Sequence, residues 1–288
     1  MILVASHISW GLAEQAVVAA LTAWGGAAWT RLRALFTPKP RAEVAEKKGL
    51  PILTYHHHLP LELKETSCFR EGSVTNTVES FAEQMAWLRE HDYATMKLAE
   101  LEDYLRGEEM DISRKLMITF DDGHLSVSRY CYDILKQYGY TAVVFMITGK
   151  QPEQPVEVLE PDLLQYVSRQ EMLDQADVFE WAAHTYRMHA RDEHRVSRLI
   201  SSSQAALMAD AAMCRAALNG TEHFCFPFGQ YDRRVIDTLV EVGYRYFYST
   251  ERGLVYPDPD HDVHVLRRLN VSPRMTVAQF GRLMGTRR

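Results

Sequence analysis

The stretch Leu116-Met-Ile-Thr-Phe-Asp121-Asp122-Gly123 decides the fold reading of this chain. An apolar run ends in two adjacent carboxylates and a glycine, the pattern by which a buried β-strand delivers charge to the rim of an α/β fold. Further along, after another strand-like run, His184-Thr-Tyr-Arg-Met-His189 brings two imidazoles. One carboxylate and two neutral imidazoles suit a divalent metal with open coordination positions. The second carboxylate is then free to act as a base on water. The pattern predicts a metal-dependent hydrolase.

Length and composition agree. The chain has 288 residues, and α/β barrels occupy roughly 200–250 residues as one unit. Apolar residues are 47% and charged residues 24%, enough for an unstapled core. A net charge of −6 offers no basic stripe for a phosphate backbone, so no nucleic-acid partner is expected. Cys68, Cys131, Cys214 and Cys225 are scattered without a CxxC pair and read as ordinary thiols rather than two disulfides.

Residues 1–48 read as a separate N-terminal apolar helix and charged linker, with the main domain over 49–288. Residues 2–30 are rich in Ala, Val, Leu and Trp but are interrupted by His7, Glu14 and Gln15, which makes a marginal spanning helix. No Lys or Arg precedes the apolar stretch, so the charged start of a secretory signal is missing. The expectation is a cytoplasmic protein, or one peripheral to the membrane through residues 2–36; a plain helix packed on the domain fits as well.

From Pro51 the pattern alternates. Ile52-Leu-Thr-Tyr-His56 is a short strand ending in three histidines. Ser80-Phe-Ala-Glu83 has capping-box spacing, with Phe81, Met85 and Leu88 on one helical face. Helices are expected over 99–105, 127–138, 169–175, 193–218 and 233–242, and strands over 116–120, 142–147, 178–182, 224–228 and 246–249. Strands alternating with helices imply a parallel sheet with right-handed crossovers. The candidate chemistry sits after several strands, where a barrel of this kind places its site.

On these residues the chain resembles the polysaccharide deacetylases of carbohydrate esterase family 4, the NodB-homology domain, from about Pro51 to Val271. The resemblance is carried by Thr119-Phe-Asp-Asp-Gly123, by His184-Thr185 with His189, and by Phe226-Pro-Phe-Gly229. Smaller matches are Phe81, Trp87-Leu88, Tyr93 and Arg268-Leu-Asn-Val271. It implies a distorted, incomplete (β/α) barrel, here with an extra N-terminal helical segment. It also implies removal of N-acetyl (sometimes O-acetyl) groups from a carbohydrate substrate. By position, Asp121 resembles the general base, and Asp122, His184 and His189 the ligands of one divalent metal ion: zinc, cobalt, nickel or iron. Adjacent residues at a strand end point in different directions, which suits that division. Thr185 resembles a group that orients a ligand, and Pro227 and Phe228 fall in the turn expected at the substrate.

Departures from the broad family point to one branch. Most members space the histidines four apart; here the spacing is five, which on a regular helix turns the second by roughly 140°. His189 therefore joins His184 only on a loop or bulged turn. The longer spacing is similar to the branch that deacetylates poly-β-1,6-N-acetylglucosamine, an exopolysaccharide. Most members also have an arginine just before the Pro-aromatic-Gly turn, where this chain has Cys225; Arg268, or Arg267 in competition, is expected to pair with Asp121 instead. For the general acid, His56 of the Tyr55-His56 pair is preferred to His264. His57 and His58 are expected on the rim or in solvent, since a strand aims only alternate side chains inward. His124 and Tyr186 are weaker candidates for sugar contact. The expected function is N-deacetylation of an N-acetylhexosamine polymer, against a deacylase of lipid-linked or small amino sugars and a catalytically inactive carbohydrate-binding relative. The sequence carries no signal for oligomeric state.

Overall fold

The computed structural model describes residues 49–285. The N-terminal helix, the linker and the membrane-surface contact expected for residues 1–48 lie outside the described residues.

Seven strands form a closed parallel ring: β1 (Ile52–Tyr55), β5 (Lys115–Phe120), β6 (Ala142–Met146), β7 (Phe179–Ala183), β8 (His223–Cys225), β9 (Tyr246–Arg252) and β10 (His264–Asn270). β1 pairs in parallel with both β5 and β10, and that double pairing closes the ring. A full barrel of this type has eight strands, so the ring is the incomplete (β/α) barrel expected. β4 (Ala94–Thr95) joins the start of β5, and β2 (His57–Leu59) pairs with β3 (Thr75–Thr77) in a small separate sheet.

Period-2 alternation divides the core into two layers. Ile52, Met117, Val143, Phe145, Tyr248 and Leu266 pack together in one cluster. Their neighbours of opposite parity, Leu53, Ile118, Phe120 and Val144, pack in the other with Phe81, Met85 and Leu88 of the surrounding helix α2 (Val78–Glu90). Because α2 lies outside the ring, the first cluster fills the barrel. Carrying its parity past the strand ends aims His56, Asp121, His184, Cys225 and Arg268 inward at the C-terminal rim.

The other helices are α1 (Leu61–Thr66), α3 (Leu98–Leu105), α4 (Tyr132–Tyr138), α5 (Arg169–Asp174), α6 (Arg198–Ser201), α7 (Gln204–Ala217), α8 (Arg233–Val242) and α9 (Val277–Gly285). Three differ from the sequence reading. α2 starts earlier, because the Thr77 hydroxyl accepts from Ser80 N, so the Ser80/Glu83 box is not its cap. The helix expected over 193–218 is a loop and two helices: Ser197 caps α6 and Ser203 caps α7. Serine side chains that bond nearby amides break a helix this way. The first turn of the helix expected over 127–138 is a π-turn, Val127–Cys131. β10 and α9 had no expectation. All four cysteines are free, as read from their scatter. Among the described residues no helix is long and apolar enough to cross a membrane.

Candidate active site at the C-terminal rim of the barrel

A cavity of about 430 Å³ opens on the C-terminal rim, lined by His56, Asp121, Asp122, His184, His189 and Arg268 together with Thr54, Val74, Arg191, Phe226, Phe228, Thr250 and Asn270. Three left-handed turns shape it. Asp122 has φ +73° and Gly123 φ +71° after β5, Thr185 has φ +77° after β7, and Phe228 and Gly229 have φ +61° and +67° after β8. For Asp, Thr and Phe this backbone is costly and persists only where its surroundings impose it. At Gly229 a side chain would overlap Thr250, so only glycine completes the Pro-Phe-Gly turn.

Asp121 and Arg268 form a two-pronged ion pair: Nη1 donates to Oδ1 at 2.7 Å and Nη2 to Oδ2 at 2.8 Å, with the two side chains 5% and 1% exposed. Arg268 is itself fixed, donating Nε to the Ser249 carbonyl at 2.9 Å and Nη1 to Thr119 Oγ1 at 3.2 Å. Burial alone would raise the Asp121 pKa; the charge and hydrogen bonds of Arg268 outweigh it and hold the carboxyl at about 2. The competitor Arg267 points outward and faces Glu251 at 3.6 Å. Parity separates the two arginines, since Arg268 continues the inward set of Leu266. His56 Nε2 lies 3.7 Å from Asp121 Oδ2. Burial pulls its pKa below the usual imidazole range, against Asp121 and Asp122. His264 is at the opposite end of β10, stacked on Tyr246 with ring centres 5.5 Å apart, so the other candidate acid does not reach the cavity.

Asp122 Oδ1 lies 3.4 Å from His184 Nε2 and 3.1 Å from His189 Nε2. The five-residue spacing is met by a loop, as required. Thr185 reverses the chain, and the buried Asp210 carboxylate on α7 accepts from Tyr186 N at 2.9 Å and Arg187 N at 2.7 Å. Asp210 had no motif to mark it. The chemistry of this trio fits a cation. His184 Nδ1 donates to the Cys225 carbonyl at 2.7 Å, which turns Nε2, the nitrogen that a cation would meet, towards a carboxylate oxygen of Asp122. Tetrahedral ligands about 2.0–2.1 Å from zinc stand about 3.3 Å apart, near the separations found. A second grouping, Asp121, His184 and Cys225, also has its donor atoms within 4.8 Å, but Arg268 already supplies the cation there: its Nη2 is 3.1 Å from Cys225 Sγ.

Other expectations fall differently. His124 does not face sugar: it is buried, with Nε2 3.1 Å from Asp122 Oδ2, the oxygen turned away from the histidines. His57 and His58 are not on the rim; β2 folds them inward, and both are buried. His58 packs against Tyr55, Phe81 and Phe120 with neither ring nitrogen partnered, and burial holds both pKa values down to about 3. Thr185 Oγ1 is buried and has no hydrogen-bond partner among the described residues, and its backbone makes the left-handed reversal after β7. Phe228 lies between His189, with ring centres 4.6 Å apart, and Arg191, whose guanidinium carbon is 4.0 Å from the ring centre. Pro227 begins that turn. Tyr186 does not line the cavity.

A parallel barrel with a buried carboxylate, an imidazole and a three-donor grouping on one rim has the groups that a hydrolase working through water requires. Comparison with known proteins narrows the class. The sequence pattern of the family described as polysaccharide deacetylase matches residues 110–247 of the chain. YxkH of Bacillus subtilis (strain 168), which is named for polysaccharide deacetylation, is 26% identical over 236 residues, 81% of this chain and 75% of that protein. The poly-β-1,6-N-acetyl-D-glucosamine N-deacetylase of Staphylococcus aureus (strain MRSA252) is 27% identical over 196 residues, 66% of this chain and 65% of its own length. The fold is shared with the Streptococcus pyogenes deacetylase PplD (TM-score 0.68, 20% identity, 83% and 99% of the two chains). It is shared equally with IcaB from Ammonifex degensii (TM-score 0.68, 24% identity, 82% and 97%).

Proposed function

We propose that the protein hydrolyses N-acetyl groups of an N-acetylhexosamine polysaccharide, of the poly-β-1,6-N-acetylglucosamine type. The observation that carries this is the meeting of Asp121, His56 and the Asp122–His184–His189 trio on one cavity. The substrate branch rests on the five-residue histidine spacing, on Cys225 in place of an arginine, and on the names of the staphylococcal relatives.

Asp122, His184 and His189 would hold one divalent ion, zinc by the fit of two imidazoles and a carboxylate, with cobalt, nickel or iron accommodated by the same donors. When bound, such an ion supplies Lewis acidity, lowering the pKa of water and polarising the acetyl carbonyl. Asp121, kept ionised by Arg268, takes the proton from water as its oxygen attacks the carbonyl carbon. A carboxyl group with a pKa of about 2 gives that proton readily to a neutral imidazole, and His56 Nε2 is 3.7 Å away. Imidazolium His56 then protonates the nitrogen as the C–N bond breaks, so acetate and the amino sugar leave and both groups return to their starting states.

The test is acetate release from β-1,6- and β-1,4-linked N-acetylglucosamine oligomers and an activated acetyl ester, with zinc, cobalt or nickel added and Asp121→Asn as the blank. Release above the blank supports the hydrolase, and the preferred linkage selects the branch. No release from any substrate would sink the polysaccharide reading in favour of a lipid-linked or small amino sugar, or of an inactive binding relative.

A further inference from the structure

Arg191 is a charged residue lining the cavity that the proposed chemistry does not use. The other arginine of the cavity, Arg268, is neutralised by Asp121. Arg191 has no carboxylate partner among the described residues, and its backbone is pinned by a bridge to Ser197. Its neighbour Asp192 is occupied with the amides of His194 and Val196. The guanidinium lies over the Phe228 ring at 4.0 Å, and the other neighbour of that ring is His189 at 4.6 Å. Phe228 therefore lies between His189 and Arg191, and Arg191 is exposed and lines the cavity. A stacked guanidinium is pre-organised for two-pronged binding of a carboxylate or phosphate. Two more cations lie on the same loop region, again on aromatic rings rather than acids: Arg187 over Tyr186 at 5.1 Å and Lys150 over Tyr166 at 4.9 Å. The turn Thr148–Lys150 is tied to that loop by bonds from Thr148 N to Thr185 O and from Gly149 N to Tyr186 O. Neither Arg187 nor Lys150 forms an ion pair with a carboxylate among the described residues.

We propose that Arg191 is a specificity-determining residue that binds an anionic substituent, phosphate or carboxylate, on the sugar unit that carries the acetamide or on its neighbour. The substrate class becomes an acidic N-acetylhexosamine glycan. The inference rests on the deacetylase reading above, and it departs from a plain neutral N-acetylglucosamine homopolymer by giving the substrate an anionic substituent.

The experiment compares kcat/KM of the wild type, Arg191→Gln and Arg191→Lys on three N-acetylglucosamine oligomers of one length: neutral, phosphate-bearing and carboxylate-bearing. N-acetylglucosamine 1-phosphate serves as competitor. The expected result is at least a tenfold preference of the wild type for the acidic oligomers at low salt, weaker as ionic strength rises. That preference falls towards unity in Arg191→Gln and is partly kept in Arg191→Lys. Competition by the 1-phosphate as strong as by the acidic oligomer would place the anion in a lipid-type headgroup; weak competition would place it within a polymer. An equal rate on neutral and acidic oligomers in the wild type, or a preference unchanged in Arg191→Gln, overturns the proposal. If no oligomer is hydrolysed, the deacetylase reading fails separately. Titration calorimetry of the same oligomers into chelator-treated protein then decides: tighter binding of acidic oligomers that Arg191→Gln abolishes supports the anion site, and equal affinities reject it.

Discussion

Arg268 on β10 grips both carboxylate oxygens of Asp121 at the end of β5, at 2.7 and 2.8 Å, with both side chains nearly buried at the floor of the cavity. The strands that carry them flank β1 from opposite sides, so the ion pair spans the closure of the ring. An isolated buried carboxylate would take up a proton; this one stays ionised because the guanidinium outweighs the burial.

Arg268→Met tests that dependence. Without the guanidinium, burial raises the Asp121 pKa, and His56 loses a cation that depresses its own. In the proposed mechanism both groups start turnover unprotonated, so the acid limb of the pH–rate profile is expected to move up. The variant should lose more activity at pH 5 than at pH 8 relative to wild type. A parallel profile, merely scaled down, would show that Arg268 does not set the state of the base.

Cys225→Arg would restore the residue that most family members have before the Pro-aromatic-Gly turn. Here it places a second guanidinium beside Arg268 in a fully buried site with one carboxylate. An uncompensated buried charge costs about 3–5 kcal/mol, and denaturant titration should show a loss of that order. The double variant Cys225→Arg/Arg268→Leu should be more stable than the single one, because Asp121 then meets one arginine. Equal stability of Cys225→Arg and wild type would contradict the crowding.

His124 fixes the Asp122 oxygen that faces away from the two histidines. Partners of ligating carboxylates typically matter 10–100-fold in metal affinity. Competition with a chromophoric chelator should therefore show His124→Ala weakening zinc by about that factor, with His124→Gln recovering part of it. Unchanged affinity would mean that Asp122 is held by its left-handed turn alone.

His58 makes the protein acid-sensitive in a predictable window. Its folded pKa is about 3 against 6.5 for the free side chain, so the unfolded state binds more protons between those values and stability falls as the pH drops through them. Between pH 6.5 and 5 one such group accounts for about 2 kcal/mol. Urea midpoints at pH 7 and pH 5 should diverge less in His58→Leu, which also removes two unpartnered ring nitrogens. The same divergence in the variant would assign the acid sensitivity elsewhere.

How much of this was legible in the sequence follows the range of the forces involved. Local pattern sufficed for the strand ending in Asp121-Asp122-Gly123 and for most of the helix and strand alternation, because hydrophobic period and side-chain parity are properties of short segments. The loop path between His184 and His189 was also forced, since a helix cannot bring residues five apart to one point. Tertiary structure decided what depends on partners distant in the chain. It chose Arg268 over Arg267 by where β10 lies in the ring, and put Asp210 of α7 under the histidine loop. It also turned His57 and His58 inward through pairing with β3, where a single strand predicted exposure. The left-handed backbone at Thr185 and Phe228 had no signal in residue type. Such strain is imposed by surrounding packing, and packing exists only once the chain has closed on itself.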